Sequence, residues 1–428
     1  MPLNAELPQL AYEFALQIEG SFKDHALDQT IESVRLIQQR YEALKKHTQA
    51  NIPEVVKEEF FSMLVDEILG FGPLEQFIND KTVSEIMVNR ADQIYVERKG
   101  KLTVSEVRFV DDAHVQRVIN KIIKPLGRQV NAEAPLVDAR LPDGSRVNAM
   151  VPPCAIDGPN ITIRKFSETP FQISDLIGFG SMTEDMAKFL EACVGSKLNI
   201  IVSGGTGSGK TTLLNVLSGF IPKGERIVTI EDAAELNLQQ PHVVRLETKK
   251  TTTEDPEEIT IRDLVHNSLR MRPERIVVGE CRGGEALDML QAMNTGQPGS
   301  MTTIHANNPR DTLSRLATLV LMSGMELPLV VVLKQIASAV NLIVQQARLR
   351  DGSRKITNIT EILGLQGDVI MTQDIYVFNE KDSTSEKVEG QFEATGRTPQ
   401  YMQTLKRYGY NLPPSMFLSS GGGMGLRR

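Results

Sequence analysis

Hydrophobic and polar positions change period twice along this chain. From residue 5 to 48, apolar and charged positions alternate at helical spacing, as in Leu27, Ile31, Val34, Leu36, Ile37, Tyr41 and Leu44. No glycine falls between Gly20 and Gly70, so long helices are permitted. Residues 1–52 are read as a helical appendage: a small bundle, a partner-binding arm or a solvated, mobile helix pair. Phe60 to Leu69 predicts a further amphipathic helix, stopped by Gly70-Phe-Gly-Pro73. From Val83 to Phe166 the texture shifts to short strands, turns and one helix, Ala113 to Ile123. Ile86–Val88, Ile94–Val96 and Ile161–Phe166 read as strands, Leu102 to Val110 can pair back after the Lys99-Gly100 turn, and Pro142-Asp-Gly144 marks another turn. Together, 53–170 form a compact α+β domain and 171–180 a linker.

After Gly180 strands and helices alternate: strands at 198–202, 226–230, 243–247, 275–278 and 300–304, and helices at 210–219, 261–271, 284–293 and 309–322. Such alternation predicts an α/β domain over 181–418, with a mostly parallel sheet covered by helices. Ile375 to Phe378 is the last clear strand, and 419–428 reads as flexible tail.

Composition narrows the class. A chain of 428 residues, 41% hydrophobic and 24% charged, is long enough for two or three well-packed domains. The 47 basic against 54 acidic residues, a net charge of −7, disfavour a dominant nucleic-acid surface, so no direct nucleic-acid partner is expected. Cys154, Cys193 and Cys281 are isolated and odd in number, which indicates neither a disulfide framework nor a zinc site; each is expected to be a small buried residue. The first residues lack a basic segment followed by an apolar core, and Lys334, Gln335 and Asn341 interrupt the most apolar stretch, Leu327 to Val344. A cytoplasmic location is expected, with membrane association only through partners.

The sharpest chemical signal is Gly204-Gly-Thr-Gly-Ser-Gly-Lys-Thr-Thr212, which fits Gly-x4-Gly-Lys-Thr. It lies between an apolar strand and a helix start, where glycines let backbone amides close around phosphates at a helix N-terminus. On that reading Gly204, Gly205, Thr206, Gly207, Ser208, Gly209, Lys210, Thr211 and Thr212 bind a nucleoside triphosphate. Lys210 reaches its β- and γ-phosphates and Thr211 ligates Mg²⁺. The bland alternative is a glycine-rich turn with an exposed lysine.

Two further strands end in carboxylates. Ile276-Val-Val-Gly-Glu280 can lie beside the phosphate-loop strand, its acid aimed at the Mg²⁺ or its water. Arg226-Ile-Val-Thr-Ile-Glu231-Asp232 supplies Glu231 as the leading candidate to orient the attacking water; its alternative is a helix-capping acid with Asp232. His305 closes Thr302-Thr-Ile-His-Ala-Asn307 at a strand end, where it can sense the γ-phosphate or be merely structural.

These blocks, in this order, resemble the secretion (traffic) ATPase superfamily: an Asp box at Ile230–Glu235, a Walker B variant at Val278–Gly284 and a His box at Gly299–Asn307. Phe71–Glu75, Val83–Asn89, Val137–Asn148, Ile161–Phe166 and Glu285–Gly296 make the chain look like the CpaF/TadA branch, the motor ATPases of tight-adherence (Flp, type IVc) pili. Two departures stand out: Gln297-Pro298 where that branch has His and an acid, and Cys281 where Val or Ile is usual. The lack of paired Cys-x-x-Cys motifs separates the chain from the zinc-bearing assembly ATPases. The resemblance implies a RecA-like C-terminal domain and a PAS-like N-terminal domain. It further implies a homo-hexamer that hydrolyses ATP with Mg²⁺ and acts on inner-membrane platform proteins from the cytoplasmic face. Nucleotide would lie between the two domains, with arginines completing the site. Arg140, Arg146 and Arg164 match from the N-terminal domain, Arg282 and Arg245 from the C-terminal one, although each could equally be a surface ion pair. A type II or type IV secretion or conjugation ATPase is the nearest alternative, and a RecA-type DNA translocase a more distant one.

Overall fold

The computed structural model describes residues 7–22, 30–47, 52–98, 100–166, 170–249, 257–381 and 387–419. The chain divides into two compact units, 1–168 and 169–428.

In the first unit, helices α1 (Leu7–Gly20), α2 (Ile31–His47) and α3 (Lys57–Leu69) share one apolar core. Helical spacing brings Leu7, Ala11, Phe14, Ala15 and Ile18 onto a single face of α1. That face meets Ile37 and Tyr41 of α2 and Phe60 and Leu64 of α3, with Phe14 edge-on to Phe60 at 5.7 Å between ring centroids. Among the alternatives for this segment, the described residues therefore form a small bundle.

After α4 (Glu75–Asn79) come β1 (Val83–Arg90), β2 (Gln93–Arg98), β3 (Lys101–Val104), α5 (Asp112–Ile123), β4 (Leu136–Arg140), β5 (Arg146–Met150) and β6 (Asn160–Arg164). The strands make an antiparallel sheet in the order β3-β2-β1-β6-β5-β4. Strand periodicity turns Ile86, Val88, Val137, Ala139, Val147, Ala149, Ile161 and Ile163 to one face, where they pack with Val115, Val118, Ile119 and Ile122 of α5. Asp111 caps α5 by accepting from His114 N at 2.8 Å. The intervening residues of β1, β6, β5 and β4 point to the other face.

The second unit runs α6 (Ile173–Gly178), α7 (Glu184–Gly195), β7 (Ile200–Gly204), α8 (Lys210–Ser218), β8 (Ile227–Glu231), β9 (Val243–Glu247), α9 (Ile261–Ser268) and β10 (Arg275–Val278). It continues with α10 (Glu285–Thr295), β11 (Met301–His305), α11 (Pro309–Leu321), α12 (Leu329–Ala339), β12 (Leu342–Arg348), β13 (Arg354–Gln366), β14 (Val369–Glu380), β15 (Gly390–Ala394) and α13 (Met402–Arg407). One sheet carries all nine strands in the order β15-β14-β13-β12-β7-β11-β10-β8-β9. From β12 to β9 neighbours are parallel, and from β12 to β15 antiparallel. Each face is buried: Ile200 and Val202 of β7 enter the core with α7 and α8, while Ile201 enters the core with α10, α11 and α12.

Several expectations change. Residues 171–180, read as a linker, hold α6, whose Leu176 is buried in the second unit's core. The apolar stretch after Leu327 is the helix α12 followed by β12, and the sheet extends well beyond the short strand foreseen at Ile375–Phe378. In Leu102–Val110 the regular ladder ends at Val104, after which Ser105 N donates to the Ile94 carbonyl and Phe109 N to the Ala91 carbonyl, both at 2.8 Å. Cys193 and Cys281 are buried, but Cys154 is exposed. Beyond Ser419 the expected tail lies outside the described residues. Among the described residues no helix is long and apolar enough to cross a membrane.

Candidate functional site

The phosphate-loop sequence links the buried strand β7 to α8. Gly207 (φ 68°) and Gly209 (φ 94°) adopt the left-handed backbone that side-chain-bearing residues avoid. Gly209 caps α8, so Lys210, Thr211 and Thr212 form its first turn, where backbone N–H groups lack helical partners. At Gly204, a Cβ would run into the Gln346 carbonyl and the Ser208 hydroxyl. Lys210 Nζ donates to the Gly205 carbonyl at 3.0 Å. Thr206 and Gly207 are exposed, whereas Ser208 is buried beneath them.

The parallel ladders decide which polar groups share this edge of the sheet. Gly204 stands level with His305 of β11 on one side and with Gln346 of β12 on the other. His305 is exposed at the strand's carboxyl end. β10, expected to lie beside β7, is separated from it by β11, because His305's strand takes that position. Glu280 follows the end of β10 and is held by Arg282, Nη2 to Oε2 at 2.8 Å. Arg282 also approaches Asp232 at 3.9 Å, so the exits of β8 and β10 meet through one guanidinium, whose pKa the Glu280 hydrogen bond raises.

Glu231 is placed differently. The register Ile201–Thr302–Val278–Ile230 makes it level with Val202, below the rim that Gly204 reaches. It is 3% exposed, its Oε1 accepts from Glu235 N at 2.8 Å and Leu236 N at 3.0 Å, and its Oε2 is buried with no hydrogen-bond partner. Burial pushes its pKa up, against the lowering pull of those two amides. Three strand spacings separate β8 from β7, roughly 14 Å. Arg245 lies one strand further out, exposed on β9. Neither is brought to the loop.

In the first unit, pairing assembles three arginines that are scattered in sequence. Arg140 on β4 is opposite Arg146 on β5, Arg146 is opposite Arg164 on β6, and Arg164 is opposite Glu85 on β1. The register thus lines up three arginines on the sheet face away from α5. Arg164 Nε lies 3.8 Å from Glu85 Oε1, and the row continues with Glu97 opposite Glu85 on β2.

Three residues near the loop were not anticipated: Gln346, Arg348 and Arg354, from the β12–β13 hairpin. Arg354 Nε donates to the Gly207 carbonyl at 3.1 Å. The sequence signal was present as Arg348-Leu-Arg-Asp-Gly-Ser-Arg-Lys355, a basic cluster around an Asp-Gly turn after an apolar strand.

Residues 67–398 match the family model described as type II/IV secretion system protein. The conjugal transfer protein TrbB of Rhizobium radiobacter is similar at 34% identity over 310 residues, spanning 72% of this chain and 91% of that protein. The type IV secretion system protein VirB11 of Bartonella quintana is 30% identical over 325 residues, spanning 67% and 90%. The crystallographic structure of the Yersinia pseudotuberculosis ATPase DotB resembles the fold with a TM-score of 0.50 and 20% identity, covering 67% of this chain and 77% of that one.

Proposed function

This chain belongs to the type II/IV secretion system protein family, and from that premise we propose that it is an ATP-hydrolysing motor of a secretion or conjugation apparatus. The observation that carries the reading is the sheet edge where the phosphate loop stands level with His305, with Glu280 following the end of β10 two strands from β7. In the proposed site, Gly204 to Thr212 wrap the phosphates of ATP, Lys210 reaches the outer two, and His305 senses the terminal one. The Thr211 hydroxyl, in the first turn of α8, and the Glu280 carboxylate past the end of β10 are oxygen donors of the kind Mg²⁺ takes. The ion would supply charge neutralisation at the phosphates when bound.

Glu280, held by Arg282 past the end of its strand, is better placed to orient water than Glu231. Glu231 is proposed instead as a positioning residue that holds the turn to Leu236 and backs the strand leading to Glu280. The row of Arg140, Arg146 and Arg164 is proposed to meet phosphate charge as it develops. If the chain works as a homo-hexamer, those arginines would couple assembly to turnover. Its partners would then be inner-membrane platform proteins reached from the cytoplasmic face, with no direct nucleic-acid contact.

The names of the curated relatives support the secretion or conjugation reading over the tight-adherence pilus reading. The latter is supported by blocks such as Phe71–Glu75 and Glu285–Gly296. Recovering this chain with the platform protein of a pilus, rather than with a secretion channel, would reverse that order. For the motor itself, Lys210→Ala is expected to lose MgATP binding, and Glu280→Gln to keep binding while losing turnover. Wild-type steady-state phosphate release by Glu280→Gln would overturn the assignment.

A further inference from the structure

The hydrolytic groups described above flank β7 on one side only, through β11 and β10. The opposite flank is built by β12 and β13. Because β12 runs parallel to β7, its carboxyl end, Arg348, emerges at the phosphate-loop edge two residues beyond Gln346, which is level with Gly204. The antiparallel return places Arg354 directly opposite Arg348. Two guanidinium-bearing residues thus stand opposite each other at the loop.

No carboxylate pairs with Arg354 among the described residues. The turn's carboxylate, Asp351, is committed elsewhere, accepting from Ser353 N at 2.9 Å and Val388 N at 2.9 Å. Hydrogen bonding from Ser353 and Val388 holds its carboxyl down at about 2. Glu380, the acid across from the turn, pairs with Arg350. Arg354 spends Nε on the Gly207 carbonyl, and its two terminal nitrogens make no hydrogen bond among the described residues. Its Cδ would lie 3.2 Å from a Cβ on Gly209, and Arg348 Nη1 would lie 3.6 Å from one on Gly207. Gln346, 2% exposed, sits beneath the same loop, with Nε2 3.4 Å from where a Gly209 Cβ would be and Oε1 buried without a partner. An amide oriented there at the cost of an unsatisfied oxygen is a second sign that this flank is shaped for a ligand.

We propose that Arg354 is a phosphate-binding residue of the nucleotide site: Nε latches it to the phosphate loop, and the remaining fork takes phosphate oxygens of a bound nucleotide, with Gln346 setting the loop beneath it. A planar guanidinium fixed at one nitrogen offers two parallel N–H donors, the geometry that phosphate matches. The inference rests on the nucleotide-binding reading and extends it to the flank opposite the carboxylates.

The test is calorimetric titration of the full-length chain with MgATP and MgADP, comparing wild type with Arg354→Ala, Arg354→Lys and Lys210→Ala. Loss of a charged hydrogen bond predicts a Kd raised about ten- to a hundredfold in Arg354→Ala for both nucleotides. Arg354→Lys should recover only part of that loss, because one ammonium cannot both latch Gly207 and offer a fork. The nucleotide-free melting temperature should stay at the wild-type value. Wild-type affinity in Arg354→Ala overturns the proposal, as does a lowered melting temperature with unchanged Kd, which would make Arg354 a loop brace only. If the wild-type chain binds neither nucleotide, or Lys210→Ala binds as well as wild type, the nucleotide-binding reading itself fails.

Discussion

Glu231 rests its side chain against the backbone of Gly279, where a Cβ would lie 2.9 Å from Glu231 Cγ. That glycine carries the chain from the end of β10 to Glu280, and its N–H donates to the Ile230 carbonyl at 2.8 Å. The buried acid of β8 and the candidate hydrolytic acid are thus separated by one residue that tolerates no side chain. Gly279→Ala is expected to force Glu231 off its two backbone amides. Overpacking of this kind costs about 1–3 kcal/mol. Turnover should fall alongside stability while MgATP affinity holds, because the phosphate loop is two strands away. Urea unfolding and phosphate release measure the two effects; a fully active, fully stable variant would remove Glu231 from the proposed arrangement.

The arginine row makes a separate forecast. Replacing Arg140, Arg146 and Arg164 together by Gln is expected to lower turnover about 10³-fold, the scale associated with arginines that stabilise phosphoryl-transfer charge. MgATP binding at the phosphate loop should change by only a few fold. Single-turnover phosphate release distinguishes the outcomes, and a loss below tenfold would assign the row to some other anion.

What the sequence made legible here depended on how local the signal was. The phosphate loop announces itself within nine residues, because glycines, lysine and threonine follow one another at the turn that needs them. Glu280 and His305 were readable as polar residues ending apolar strands. Strand order was not, since pairing β7 with β11 rather than β10 is a non-local choice that leaves no trace in either strand's composition. Arg140, Arg146 and Arg164 could be named singly, but their alignment exists only through the register of three strands. Arg354 was missed because its partner, Gly207, lies 147 residues away. For Glu231 the strand was visible but its depth was not: one row of register separates a carboxylate at the rim from one beneath it.

Asp66 gives the first unit a pH signature. Burial first, then the neighbouring carboxylates Glu75 and Glu67, push its carboxyl up to about 6 from 3.8. The folded chain therefore holds this proton more tightly than the unfolded chain does. Its contribution to stability is complete below about 3.8 and is lost as pH rises through about 6. Because the side chain is only partly buried, solvent screening limits the effect to about 1 kcal/mol. Asp66→Asn should be more thermostable than wild type at pH 7.5, with the gap narrowing as pH falls below about 6 and closing below about 3.8. A gap independent of pH would show that no such proton is held.

The same unit contains the network that docks α1, and its dissection is the most demanding prediction. Glu67, 4% exposed on α3, meets His114 Nε2 at 3.0 Å and Arg117 Nη1 at 3.0 Å, both from α5. Arg117 reaches on to Glu19 of α1 at 2.7 Å, and Lys121 joins Glu19 at 3.2 Å and the Ile68 carbonyl at 2.8 Å. Tyr12 of α1 stacks on the His114 ring at 3.9 Å. Removing Glu67 takes the acceptor from the buried His114 ring and from Nη1 of Arg117, which costs about 3–5 kcal/mol, whereas removing the partly exposed Glu19 should cost about 1 kcal/mol. Glu67→Ala is therefore expected to melt the first unit early and expose α1 to limited proteolysis, and Glu19→Ala to do so only mildly. The phosphate loop belongs to the other unit, so both variants should still bind MgATP below the melting transition. Equal effects of the two substitutions would show that packing on Phe14 and Phe60, rather than the charge network, holds α1 in place.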